Sequence, residues 1–105
     1  MRIKNSLNSY NETTAQKYIS DNTPIISISS EIEVQYNWIE KKRTDEITGY
    51  KLYFVQEGVS PFPVKFTKKP TLPPFLSEVK LNTLEAIEIR PNVYFRAAGI
   101  EVIKS

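Results

Sequence analysis

The chain has 105 residues, no cysteine, no histidine and a formal net charge of +2. That length supports one domain around one core. The missing residue types exclude disulfides, thiolate metal sites and cysteine nucleophiles, and they remove the commonest general base and metal ligand.

No apolar run reaches the roughly eighteen residues of a membrane span, and the opening MRIKNSLNSYNETT lacks the apolar core of a secretory signal. The expectation is a cytoplasmic protein with no membrane partner, no metal and no cofactor. Charge is uneven along the chain. Residues 1–40 carry a net −2, residues 41–80 a net +4 and residues 81–105 balance. A locally basic middle can attract a polyanion, because the field depends on arrangement within a Debye length of about 8 Å. The plain alternative is that lysines blunt exposed strands and loop tips.

Residues 1–23 are rich in Asn, Ser and Thr and poor in apolar content, which predicts a flexible, weakly structured N-terminal arm. Asn11 is a candidate N-cap for one or two helical turns, with Ala15, Tyr18 and Ile19 as a thin apolar side. From Pro24 the period changes to two. Ile32, Val34, Tyr36 and Trp38 alternate with Glu31, Glu33, Gln35 and Asn37, predicting a strand with one wet face and placing Trp38 in the core. EKKRTDEITG reads as a charged turn. Tyr50, Leu52 and Phe54, alternating with Lys51, Tyr53 and Val55, form the second strand of an antiparallel hairpin.

Phe62, Val64 and Phe66 mark a third strand, whose prolines suit an edge or a strand start. The three prolines of KKPTLPPF then end regular structure. Val79 and Leu81 open a fourth strand, and the apolar set then shifts from Leu84 and Ala86 to Ile87 and Ile89, as at a bulge or a barrel corner. The fifth, RPNVYFRAAGIEVI, turns Val93, Phe95 and Ala97 to the core and Tyr94, Arg96 and Ala98 outward. Its AAG permits a bend. Phe54, Phe62, Phe66 and Phe95 are assigned to the core. The expected fold is all-β: a small five-stranded antiparallel Greek-key barrel, OB-like, over 24–105, with residues 1–23 as the arm.

The order of features resembles the small OB-fold accessory proteins of Gram-positive integrative conjugative elements. The residues that carry this are GYKLYF (Gly49 to Phe54), PVKF (Pro63 to Phe66), a proline break, PFLSEVKLNTLEAIE (Pro74 to Glu88) and VYFRAAGIEVIK (Val93 to Lys104). It covers residues 31 to 104 as pattern more than identity. The Asn/Ser-rich arm and the absence of a polar tail after the last strand depart from it. The resemblance implies a barrel that binds single-stranded DNA without strong sequence preference and assists a helicase or other replication protein in the replication or transfer of a conjugative element or phage.

Such binding needs a cationic groove for phosphates and exposed rings on which bases stack. Alternation turns Lys51, Tyr53, Lys65, Tyr94 and Arg96 away from the core. An OB binding face built on strands two and three with flanking loops adds Lys41, Lys42 and Arg43 before the second strand and Lys68 and Lys69 after the third. Each also has an ordinary role: tyrosines are common strand residues, Arg96 has Glu88 as a candidate cross-strand partner, and Lys41 to Arg43 fit a solvated hairpin tip.

Catalysis finds no support. The glutamate pairs Glu31/Glu33 and Glu85/Glu88 lie on wet faces, Ser60 and Ser77 lack a nucleophile elbow, and three glycines form no phosphate loop. The competing class is a protein-interaction module that docks on a host or replication enzyme, for example as a phage-encoded inhibitor. It would use an edge strand or the extended PTLPPF segment. Oligomeric state is left open by the residues.

Overall fold

The computed structural model describes residues 9–104. A short helix, α1 (Glu12–Gln16), precedes eight strands: β1 (Ile25–Ser27), β2 (Glu33–Ile39), β3 (Lys42–Gln56), β4 (Val59–Phe66), β5 (Glu78–Asn82), β6 (Glu85–Ile89), β7 (Asn92–Arg96) and β8 (Gly99–Lys104). They form one sheet in the order β6-β7-β4-β3-β1-β5-β8, with β2 also paired to β3. The sheet curls into a half-barrel, so the class is all-β. No helix among the described residues is long and apolar enough to cross a membrane.

Period two builds the core. Leu52 and Phe54 on β3 and Phe62, Val64 and Phe66 on β4 are all buried, as is Phe95 on β7. Phe62 sits between the rings of Phe54 and Phe95, with centroids 6.1 and 5.4 Å away. Val93 packs against this cluster from its edge, and Ala97 lies inside it.

Eight strands stand where five were expected, and the breaks explain the difference. β5 pairs with β8 and β6 with β7, all antiparallel, so Glu78 to Lys104 is one long hairpin interrupted halfway. The interruption falls at Thr83, whose φ of 53° turns the chain, and at Ala97–Ala98, where Ala98 N–H donates to the Asn82 carbonyl at 2.8 Å. The phase change between Leu81 and Leu84 is therefore a turn between strands rather than a bulge, while within β6 the neighbours Ala86 and Ile87 are both buried. The near half of this hairpin joins β1 through β5. The far half joins β4 through β7, and that contact is parallel, against the expectation of a purely antiparallel sheet.

EKKRTDEITG is also not a long turn. Ile39 pairs with Lys42 around the two residues Glu40 and Lys41. Their φ values of 49° and 67° are the left-handed pair that a twist-matched two-residue hairpin requires. From Lys42 onward the segment is strand. Its charged residues show no alternation because both faces of the projecting hairpin meet water. Trp38, assigned to the core, is 62% exposed. The register shifts at Gln35/Tyr36 and Tyr36/Trp38 place the extra residues on β3, so β2 keeps its alternation, and Trp38 is exposed because it lies on the projecting part of the hairpin, past the core.

The segment read as a loose arm is packed from Asn11 onward, while residues 1–8 lie outside the described residues. Asn11 caps α1 as expected, its Oδ1 accepting from Thr14 N–H at 2.7 Å. It also exchanges backbone hydrogen bonds with Ala86 in both directions, each 3.0 Å. Ala15 and Ile19 are buried in the common core. Tyr18 meets Phe95 edge-on at 6.4 Å and donates its hydroxyl to Glu88. That bond holds the Glu88 carboxyl below its ordinary value and raises the Tyr18 phenol. A five-residue helix has too little propensity to hold itself; these tertiary contacts hold it, and composition does not reveal them.

Candidate nucleic-acid interface

Because β4 lies between β3 and β7, residues at matching register form rows across the outer face. Lys51 stands opposite Lys65, and Lys65 beside Arg96. With strands about 4.8 Å apart, the three cations span roughly 10 Å. A carboxylate closes each end: Glu33 pairs in register with Lys51, and Glu85 with Arg96. The next row holds Tyr53 opposite Pro63, with Tyr94 beside it in the β4–β7 register. Tyr53 is 37% exposed and Tyr94 46%, so both rings are open to a ligand.

Side-chain contacts order this face. Lys51 Nζ lies 5.8 Å from the Tyr53 ring centre, and the Tyr53 hydroxyl donates to Glu33 Oε1 at 3.3 Å. Lys65 leans over Gly49. A side chain there would bring its Cβ to 2.7 Å from Lys65 Cε, so the glycine leaves the lysine stem room to lie flat. Arg96 Nε donates to Glu85 Oε1 at 2.8 Å. Its partner is Glu85 rather than Glu88, because β6–β7 register sets Glu85 directly opposite while Glu88 serves Tyr18 and Lys17 on the α1 side.

Among the described residues the ion pairs are Arg96–Glu85 and Lys17–Glu88. Lys51 and Lys65 are thus adjacent, directly opposed and not ion-paired. Like charges in that arrangement repel, and a bound anion would relieve the repulsion.

The structure brings together Lys51, Tyr53, Lys65, Tyr94 and Arg96. It sets Lys41, Lys42 and Arg43 apart, at the hairpin tip. At about 3.4 Å per residue, Arg43 lies roughly 25 Å along β3 from Lys51, and its guanidinium stacks on Tyr36 at 4.4 Å. Lys68 and Lys69 are exposed just past the end of β4, beyond the cation row.

Sequence reasoning missed Tyr10, whose ring lies 4.2 Å from the Arg96 guanidinium carbon. Burial raises its phenol above the ordinary value, with Arg96 partly opposing the shift. It also missed the flanking Glu33 and Glu85 and the space at Gly49. Gly49 was readable as a glycine inside a strand, a mark of close approach, but no local pattern points to Tyr10.

Two grooves adjoin the rows. One of about 500 Å³ runs beside Tyr53 and Glu33, and one of about 320 Å³ lies beside Lys65, Glu85 and Arg96. A groove of about 510 Å³ between residues 19–25 and β5 has mixed charge, from Asp21, Glu78 and Lys80, and no aromatic ring. No protein-family model, curated protein or solved structure matches the chain.

Proposed function

We propose that the chain is a non-catalytic single-stranded DNA-binding accessory protein of a conjugative element or phage, supporting DNA replication or transfer beside a helicase or another replication protein in the cytoplasm. The observation that carries the binding reading is the pairing of two rows on one open face, Lys51–Lys65–Arg96 and Tyr53–Pro63–Tyr94. Cations track phosphates, and open rings offer every base a stacking surface without selecting among them. The mobile-element setting and the replication partner rest on the resemblance carried by GYKLYF, PVKF and VYFRAAGIEVIK.

The strand pairing supports an OB-like barrel as the scaffold. Joining β1 to β2, β5 to β6 and β7 to β8 across their short breaks leaves five strands. The first then meets the second and the fourth, the third meets the second and the fifth, and the fourth meets the fifth. That cyclic order suits a small Greek-key barrel.

Titrating labelled oligo(dT) between about 50 mM and about 200 mM salt tests the proposal. Three neutralised phosphates give a log–log slope near −2, so affinity should fall about twentyfold across that range. Absent binding, or binding indifferent to salt, would overturn it.

The protein-docking alternative is favoured by one place, the hairpin tip. There Trp38 and Ile39 are 62% and 57% exposed beside Lys41, Lys42 and Arg43, and a contact made through those apolar residues would barely respond to salt.

A further inference from the structure

Arg96 is held from two sides, by the Tyr10 ring at 4.2 Å and by Glu85 at 2.8 Å through Nε. Tyr10 is itself positioned, because its neighbour Asn11 is tied to Ala86 by two backbone hydrogen bonds. The groove beside this cluster, about 320 Å³, is at the small end of the range for ligand sites. It has room for one flat ring system but not for a duplex or a folded peptide. The small side chains of Ala97 and Ala98 leave that room, and Lys65, whose stem lies over Gly49, lines its β4 side. Thr67 and Thr83 add hydroxyls able to donate or accept.

We infer that this groove receives one nucleobase and prefers guanine, with Tyr10 of the N-terminal segment as part of its stacking wall. The inference deepens the single-strand reading and rests on it for the presence of a strand. Guanine presents a ring N–H and an exocyclic amine side by side, two donors for the Glu85 carboxylate, while its O6 and N7 accept from Lys65. Adenine places a ring acceptor next to its amine and would set a lone pair against the carboxylate. Thymine offers a single N–H between two carbonyls. The rest of the face, with Lys51 and open rings, offers base donors one other carboxylate, Glu33, which like Glu85 already accepts one hydrogen bond but lines the groove beside Tyr53 instead.

The test uses the full chain in two arms. In the first, dGMP and dAMP are titrated against the ¹⁵N-labelled protein. dGMP should shift the amides of Thr83, Ala97 and Ala98 and bind about fivefold tighter than dAMP. In the second, oligo(dT) carrying one central dG should bind about fivefold tighter than the same strand carrying dA. Tyr10→Ala should abolish both preferences, Tyr10→Phe should restore them, and Glu85→Gln should erase the difference between dG and dA.

Oligonucleotide binding with equal affinity for dG and dA, and with those amides unmoved, would overturn the pocket while leaving the single-strand reading in place. Selective dGMP binding by a protein that binds no oligonucleotide would support the pocket and overturn the single-strand reading.

Discussion

Replacing Lys51, Lys65 and Arg96 together by alanine is expected to weaken oligo(dT) binding about thirtyfold at low salt, roughly 2 kcal/mol, at up to about 1 kcal/mol for each solvated ionic contact. The slope of log affinity against log salt should flatten by about 2, because three phosphate contacts are lost at about 0.7 each. Folding should survive. The three side chains point away from the core, two of them have no ion-pair partner, and removing adjacent like charges relieves repulsion. The matching control is the triple alanine variant at Lys41, Lys42 and Arg43, which removes the same charge from the hairpin tip. A larger loss in that control would move the interface from the sheet face to the hairpin.

Gln56→Leu is expected to destabilise the protein by roughly 3 kcal/mol, lowering the melting temperature by about 15 °C. Gln56 is 4% exposed. Its Nε2 donates to the carbonyls of Ser20 and Thr23 at 2.8 and 2.9 Å, and its Oε1 accepts from Ser20 N–H at 2.9 Å. Leucine would fill much the same volume and leave three backbone groups without partners, at about 1 kcal/mol or more each.

A typical domain has only about 5–15 kcal/mol in total, so one side chain carries a large part of the attachment between residues 20–23 and β3. Urea denaturation measures the change. A shift under about 0.5 kcal/mol would mean that the segment after α1 is not coupled to the sheet.

What the sequence made legible follows from period two. Phe54, Phe62, Phe66 and Phe95 fall in the core phase of their strands and are buried. The same alternation turns Lys51, Tyr53, Tyr94 and Arg96 outward, so the members of the site were readable one strand at a time. Their assembly was not. The cation row exists only because β4 pairs with β7 in parallel, with Lys65 beside Arg96, and local pattern carries no sign of which strand lies next to which.

Tyr10 was hidden for the same reason, since its place over Arg96 depends on the long-range bridge from Asn11 to Ala86. Trp38 keeps the phase of Val34 but lies where the β2–β3 hairpin projects past the core, and alternation carries no sign of where the core ends. The hairpin preceding Gly49 has the pattern of a turn because a strand wetted on both faces has no apolar face to reveal it.

Amide-shift mapping of the full chain with oligo(dT) tests most directly whether the two rows act as one surface. The largest shifts are expected at Lys51, Tyr53, Lys65, Tyr94 and Arg96, contiguous across β3, β4 and β7. Shifts confined to Trp38 through Arg43, or scattered over both faces of the sheet, would contradict it.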